Sequence, residues 1–269
     1  MINSKELIKE YGIKANKALG QNFLVDESAL AAITELADCG GKKVLEIGPG
    51  LGALTNELAQ QADKVVCVEV DSLMCSLLEK TLAGHDCVTI INRDFLKVKT
   101  DELHSLLGDG FIVAANLPYY ITSDSAMKLI DSPLIIKRMV LMMQQEAAEH
   151  FLASPKQKCY TPVSIIAQHY FSVSEKLRLP PSCYYPEPLV HSSVLLFESR
   201  GLSYDSAFSR LVRTAFSMRR KTLRNNLSPL FGKDALPKLL ESAGLDQGCR
   251  AEELSVSDFE RLLEASREI

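Results

Sequence analysis

The chain has 269 residues, 46% apolar and 24% charged, with a formal net charge of -4. That length allows one large domain, or one domain with a small second one, and the balance excludes a disordered polymer and a molecule basic as a whole, so any surface for a polyanion must be a local patch. No apolar run reaches the roughly 18 residues of a membrane span, the first residues carry no signal-peptide core, and seven cysteines without a Cys-x-x-Cys pair, beside five histidines without ligand spacing, predict reduced thiols, no metal and a cytoplasmic protein.

Residues 1–25 are polar and mixed, with Gly12 and Gly20 as breakers. Asp26 caps a predicted helix over 27–38, where Leu30, Ile33 and Leu36 recur at helical spacing, and Gly40-Gly41 ends it. Lys43–Ile47 reads as a first strand, followed by a glycine turn and a helix over 52–61. A strand over 64–69, a helix over 71–82, a strand over 88–91 and a helix over 103–107 follow. The fourth strand, over 111–115, ends at Asn116. A helix near 123–131, a strand near 137–143, a helix over 144–153 and strands near 163–172 and 192–198 complete the body. This alternation predicts an α/β architecture with a mostly parallel, doubly wound sheet. The composition shifts near Gly201, and from about 205 the pattern is purely helical. The expected division is a ligand-binding domain over 1–200 and a small all-helical domain over 201–269.

In such sheets ligands sit at the carboxyl ends of the strands. The first strand runs into Glu46-Ile47-Gly48-Pro49-Gly50-Leu51-Gly52-Ala53. Glycines let the backbone turn sharply and approach a ligand closely. With Ala53 this turn also satisfies the relaxed dinucleotide pattern. Glu69, ending the second strand, suits ribose hydroxyls in NAD or in S-adenosylmethionine. Three features favour S-adenosylmethionine. The Glu46 carboxylate can meet the ammonium of a methionine moiety and would repel a pyrophosphate. The spacing of Gly48, Gly50 and Gly52 is tighter than the dinucleotide fingerprint. Asp94 offers an acceptor for an adenine amino group, with Phe95 as an aromatic wall.

The fourth strand ends in Asn116-Leu117-Pro118-Tyr119. An exocyclic adenine amine is a poor nucleophile because its lone pair is delocalised into the ring. Two acceptors aimed at its hydrogens draw it toward a tetrahedral nitrogen. The Asn116 side-chain oxygen is one candidate. The Leu117 carbonyl is the other, its direction set by the extended bias that Pro118 imposes. Tyr119 provides a face for base stacking, which contributes roughly 1–3 kcal/mol. No strong base is needed before an in-line displacement, so positioning carries the rate. Residues 206–226 hold Arg210, Arg213, Arg219, Arg220, Lys221 and Arg224 with no acid, either a solvated helix face or a patch for RNA phosphates.

On these residues the sequence resembles the KsgA family of small-subunit ribosomal RNA adenine dimethyltransferases over nearly its whole length. Lys17-Ala18-Leu19-Gly20-Gln21-Asn22-Phe23-Leu24 resembles the family's N-terminal segment, which implies cofactor contacts for Asn22 and Leu24. Gly48, Glu69, Asp94 and Asn116 match its other cofactor positions. Pro180 to Pro188 resembles a loop that brings a second aromatic to the target base, a role that falls on Tyr184. Phe216 to Leu227 resembles a family signature, implying RNA contacts for Arg213, Arg219, Arg220, Lys221 and Arg224. The resemblance implies a Rossmann-like class I methyltransferase fold with a C-terminal helical domain. It implies N6,N6-dimethylation of two adjacent adenosines in the 3′-terminal hairpin loop of 16S rRNA. The partner would be an immature small subunit, met by a monomer with no membrane association. The chain departs from the family pattern at Tyr120, Gln145, Thr161 and His191. Two other readings remain, a large-subunit rRNA adenine methyltransferase and a non-enzymatic assembly factor; the Arg219–Leu227 signature argues against the first.

Overall fold

The computed structural model describes residues 4–16 and 19–268; Lys17 and Ala18 of the N-terminal motif lie outside them. Nine strands are β1 (Phe23–Leu24), β2 (Lys43–Ile47), β3 (Lys64–Glu69), β4 (Val88–Asn92), β5 (Phe111–Asn116), β6 (Ile136–Gln144), β7 (Phe171–Leu179), β8 (Tyr184–Tyr185) and β9 (Ser192–Ser199) among the described residues. The helices are α1 (Ser4–Glu10), α2 (Glu27–Ala37), α3 (Ala53–Ala59), α4 (Ser72–Thr81), α5 (Thr100–Leu107), α6 (Thr122–Ile130), α7 (Gln145–Leu152), α8 (Pro162–Tyr170), α9 (Ser206–Ala215), α10 (Leu223–Phe231), α11 (Leu236–Ser242) and α12 (Val256–Ser266).

Seven strands form one sheet in the order β4-β3-β2-β5-β6-β9-β7. β2 pairs in parallel with β3 and β5, β3 with β4, and β5 with β6; β9 runs antiparallel to β6. The expected doubly wound, mostly parallel sheet is therefore present. The chain winds outward from β2 to β4 and then crosses to β5 on the other side of β2. That switch opens a crevice at the carboxyl ends of β2 and β5. The pairings Ile47 with Val68, Glu69 with Asn92 and Asn116 with Met142 bring the strand ends level.

Buried parallel strands need apolar residues on both faces. Val44, Val65 and Ile112 pack against Leu30, Ile33, Leu54 and Leu58 of α2 and α3. Each such fully buried aliphatic contributes about 1.5–3 kcal/mol relative to exposure. Asp26 caps α2 as expected, its carboxylate accepting from the Ala29 amide at 2.8 Å.

The chain divides into two compact units, one formed by residues up to Ala148 with Val173–Ser199, the other by Glu149–Ser172 with Arg200–Ile269. The second unit is helical as expected, but it also takes in 149–172. The strand expected near 163–172 is instead α8, with β7 beginning only at Phe171. The β-branched run Val163, Ile165, Ile166 reads as a strand in isolation. Pro162 at the first helical position and the Thr161 amide donating to Ser164 Oγ at 3.1 Å start a helix instead. Within this unit the His169 ring stacks on Phe208 with centroids 3.7 Å apart, and His169 Nδ1 meets Glu260 at 2.8 Å. Tyr160 Oη donates to the Leu254 carbonyl at 2.8 Å.

Candidate active site

A cleft of about 940 Å³, counting its open mouth, lies at the carboxyl ends of β2, β3 and β5. Its walls include Asn22, Leu24, Glu46, Gly48, Gly50, Glu69, Asp94, Phe95 and the Asn116–Tyr119 loop. Gly52 and Tyr184, the remaining residues expected there, do not line it. Gly52 stands behind the turn as the residue before α3. Tyr184 is 2% exposed and packs in the core, in register with Leu24 through the β1–β8 ladder.

The glycine turn is shaped by contact with the other loops. Gly48 has φ +66°, and a Cβ there would meet the Pro118 ring at 3.3 Å; Gly50 has φ +55°, and its Cβ would meet the Phe23 ring at 3.1 Å. A side chain at either position would press on the neighbouring loops and strain the backbone. The Gly48 amide donates to the Val68 carbonyl at 2.9 Å, tying the turn to β3.

Glu69 is fixed by two backbone donors. Its Oε2 accepts from Gly50 at 3.2 Å and its Oε1 from Asp71 at 2.9 Å. Burial pushes its carboxyl above the usual range, and those amides pull it back in part. Glu46 is 2% exposed, on the same face of β2 as Val44. Burial raises its carboxyl to about 8, with the Thr55 and Cys67 side chains opposing the shift. Among the described residues no cation pairs with it. Asp94 caps the single helical turn Phe95–Lys97, accepting from the Leu96 amide at 3.0 Å.

Asn116 closes β5 and is half-buried. Its Nδ2 donates to the Asn22 carbonyl at 3.0 Å. A carbonyl only accepts, so the amide nitrogen must face it, and Oδ1 points to the other side. The Leu117 amide is held by the Met142 carbonyl at 3.0 Å. Tyr119 Oη lies 3.4 Å from Ser192 Oγ. Tyr120, which departs from the family pattern, lines the cleft and remains 52% exposed. His191 is exposed, with its carbonyl on the Gln145 amide at 3.1 Å.

In the helical unit Arg213, Arg219, Arg220, Lys221 and Arg224 are all exposed. Arg219 is engaged by Glu252 at 2.9 Å and by the Lys158 carbonyl at 3.1 Å. Sequence reasoning passed over Ser192 and Lys128. Ser192 carried a signal, since it closes the Val190-His191-Ser192 stretch whose middle residue departs from the family. Lys128 carried none, because its partners are backbone carbonyls about thirty residues away.

No helix among the described residues is long and apolar enough to cross a membrane. No cluster of three metal-ligating side chains occurs among them. The sequence pattern of ribosomal RNA adenine dimethylases matches residues 12–267. A small-subunit ribosomal RNA methyltransferase A from Bacillus cytotoxicus is 38% identical over 97% of this chain and 94% of its own length. The same enzyme from Bacillus mycoides is 37% identical over the same shares. The crystal structure of a dimethyladenosine transferase from Plasmodium falciparum superposes with a TM-score of 0.80 at 26% identity, covering 91% of this chain and 98% of that one. The match over nearly the full length, together with the strand-end cleft, establishes that the chain belongs to the ribosomal RNA adenine dimethylase family.

Proposed function

We propose that the protein transfers methyl groups from S-adenosylmethionine to N6 of two adjacent adenosines in the 3′-terminal hairpin loop of 16S rRNA, within an immature small subunit, acting as a cytoplasmic monomer. The observation that carries the reading is the Asn116 amide, whose nitrogen is tied to Asn22 and whose oxygen is left for an incoming amine.

The cleft suits the donor chemically. Glu46 is a buried carboxyl that no cation among the described residues pairs with, and an α-ammonium beside it would favour its ionised form and pair with it. The bare glycines Gly48 and Gly50 let the Pro118 and Phe23 rings close directly on the turn that lines the cleft. Glu69 retains acceptor capacity for ribose hydroxyls after meeting two amides, because each carboxylate oxygen has two lone pairs. Asp94 and Phe95 receive the adenine, and Asn22 and Leu24 line the same cleft. When bound, S-adenosylmethionine supplies an electrophilic sulfonium methyl.

The protein's part is to orient the acceptor. Asn116 Oδ1 and the Leu117 carbonyl accept the two amine hydrogens and localise the nitrogen lone pair. Pro118 fixes the loop against Gly48, so this acceptor pair stays in register with the glycine turn. Tyr119 stacks on the base, and Tyr184 supports it from the core side, both aromatics approaching Ser192. Preorganisation of this kind is worth several powers of ten in rate. RNA phosphates are met by Arg213, Arg219, Arg220, Lys221 and Arg224.

The test is methylation of immature small subunits from a strain lacking the modification, read by mass spectrometry of the rRNA. Dimethylation of two neighbouring adenosines is the expected result. A single labelled adenosine in large-subunit rRNA, or no transfer with intact subunit binding, overturns the proposal.

A further inference from the structure

Lys128 lies on α6, the helix that follows the Asn116–Tyr119 loop. Its Nζ donates to the carbonyls of Phe95 at 2.9 Å, Leu96 at 2.8 Å and Val98. The same nitrogen sits 5.1 Å from the centroid of the Phe95 ring. A lysine ammonium has three donors and no acceptor. All three are taken by the backbone of one short turn.

Among the described residues no carboxylate lies within ion-pair distance of Lys128, so the carbonyls themselves offset the cost of drawing the ammonium out of water. Burial accordingly lowers its basicity, with Asp94 opposing the shift. The turn needs such a partner. Phe95–Lys97 is a single turn, capped at its start by Asp94 and closed by Val98 N on the Phe95 carbonyl at 3.1 Å. Among the described residues the Leu96 and Val98 carbonyls accept from Lys128 alone. Phe95 and Val98 are buried, at 2% and 1% exposure. An apolar side chain of lysine's length would leave the Leu96 and Val98 carbonyls without a donor among the described residues.

Two of the turn's residues, Asp94 and Phe95, form a wall of the cleft. We infer that Lys128 is a positioning residue that sets the adenine end of the cofactor cleft by fastening the 94–98 turn to the helix behind the catalytic loop. The inference rests on the proposed assignment of Asp94 to the adenine amine. Lys128 touches neither cofactor nor acceptor; it acts through the direction it gives Asp94 and Phe95.

The experiment is calorimetric titration of S-adenosylhomocysteine and of its deaminated analogue S-inosylhomocysteine into the full-length wild type, K128M, K128Q and K128R. The wild type should prefer the adenine compound. K128M, which has no donor, should lose about tenfold in affinity for it and less than about twofold for the inosine compound, so the preference collapses. K128R, which keeps several donors, should retain most of the preference. K128Q, with one amide group, gives the same comparison in a milder form should K128M fail to fold. A donor-free variant with the wild-type preference overturns the inference. So does equal weakening of both ligands with a lowered melting temperature, because that is what a merely structural lysine would give. Equal affinities in the wild type itself would instead refute the assignment of Asp94, and the two failures are told apart by which protein shows them.

Discussion

The Asn116 side chain has two hydrogen-bonding ends, and Nδ2 is committed to the Asn22 carbonyl at 3.0 Å. Asn116→Ala removes the acceptor at the other end and frees the Asn22 carbonyl. Methyl transfer should fall by about 10²-fold or more, the scale for losing one preorganised polar group at a reacting centre. Subunit binding, measured by co-sedimentation, should be unchanged; a parallel loss of binding would refute that separation. Glu46 makes a different prediction. Burial holds its carboxyl protonated up to about pH 8, against an ordinary value of 4.5. The folded chain keeps a proton there that the unfolded chain releases, so the contribution of Glu46 to stability declines as pH rises from 4.5 to 8 and is level above. Glu46→Gln cannot ionise. In melts of the free protein the variant should gain on the wild type steadily from about pH 5 to about pH 8. Parallel curves would show that the residue is already charged in the folded chain.

At the scale of elements the helical unit depends on short connections. Tyr160, before α8, reaches the Leu254 carbonyl ahead of α12, and both groups are buried. Tyr160→Phe keeps the ring and strands that carbonyl, so chemical denaturation should show a loss of about 1–3 kcal/mol. A loss below about 0.5 kcal/mol would mean that water replaces the hydroxyl. The β2–β5 core was legible in the sequence because buried parallel strands are unbroken apolar runs ended by glycine or polar residues. That same regularity made the ends Glu46, Glu69, Asp94 and Asn116 visible as a candidate site. α8 was hidden because Val163, Ile165 and Ile166 have strand propensity, and tertiary packing of Ile165, Ile166 and Ala167 overrides it. The β1–β8 ladder was hidden because two residues per strand carry no periodicity. Motif likeness identified Tyr184 by residue type, which says nothing of its burial.

At the scale of the molecule a net charge of -4 coexists with a basic stretch on the helical unit. The structure separates members of that stretch. Arg219 already serves Glu252 and a backbone carbonyl, whereas Arg220, Lys221 and Arg224 make no ion pair among the described residues. Replacing Arg220 and Lys221 by alanine should weaken RNA binding and lower the slope of log affinity against log salt by about one for each phosphate no longer neutralised. An unchanged slope would reduce the patch to a solvated face. The first unit holds a connection with kinetic meaning. The Asn22 carbonyl grips the Asn116 amide, and Leu24, two residues later, is laced to Tyr184. Whatever seats residues 19–24 therefore sets both the amide and the aromatic support before an acceptor enters. The reaction should follow a compulsory order with the methyl donor first. Acceptor RNA should then bind the donor-free protein more weakly than the protein holding S-adenosylhomocysteine, and steady-state inhibition by that product should be competitive with the donor alone. Random order would mean that the opening segment lends the cleft its shape and has no part in timing.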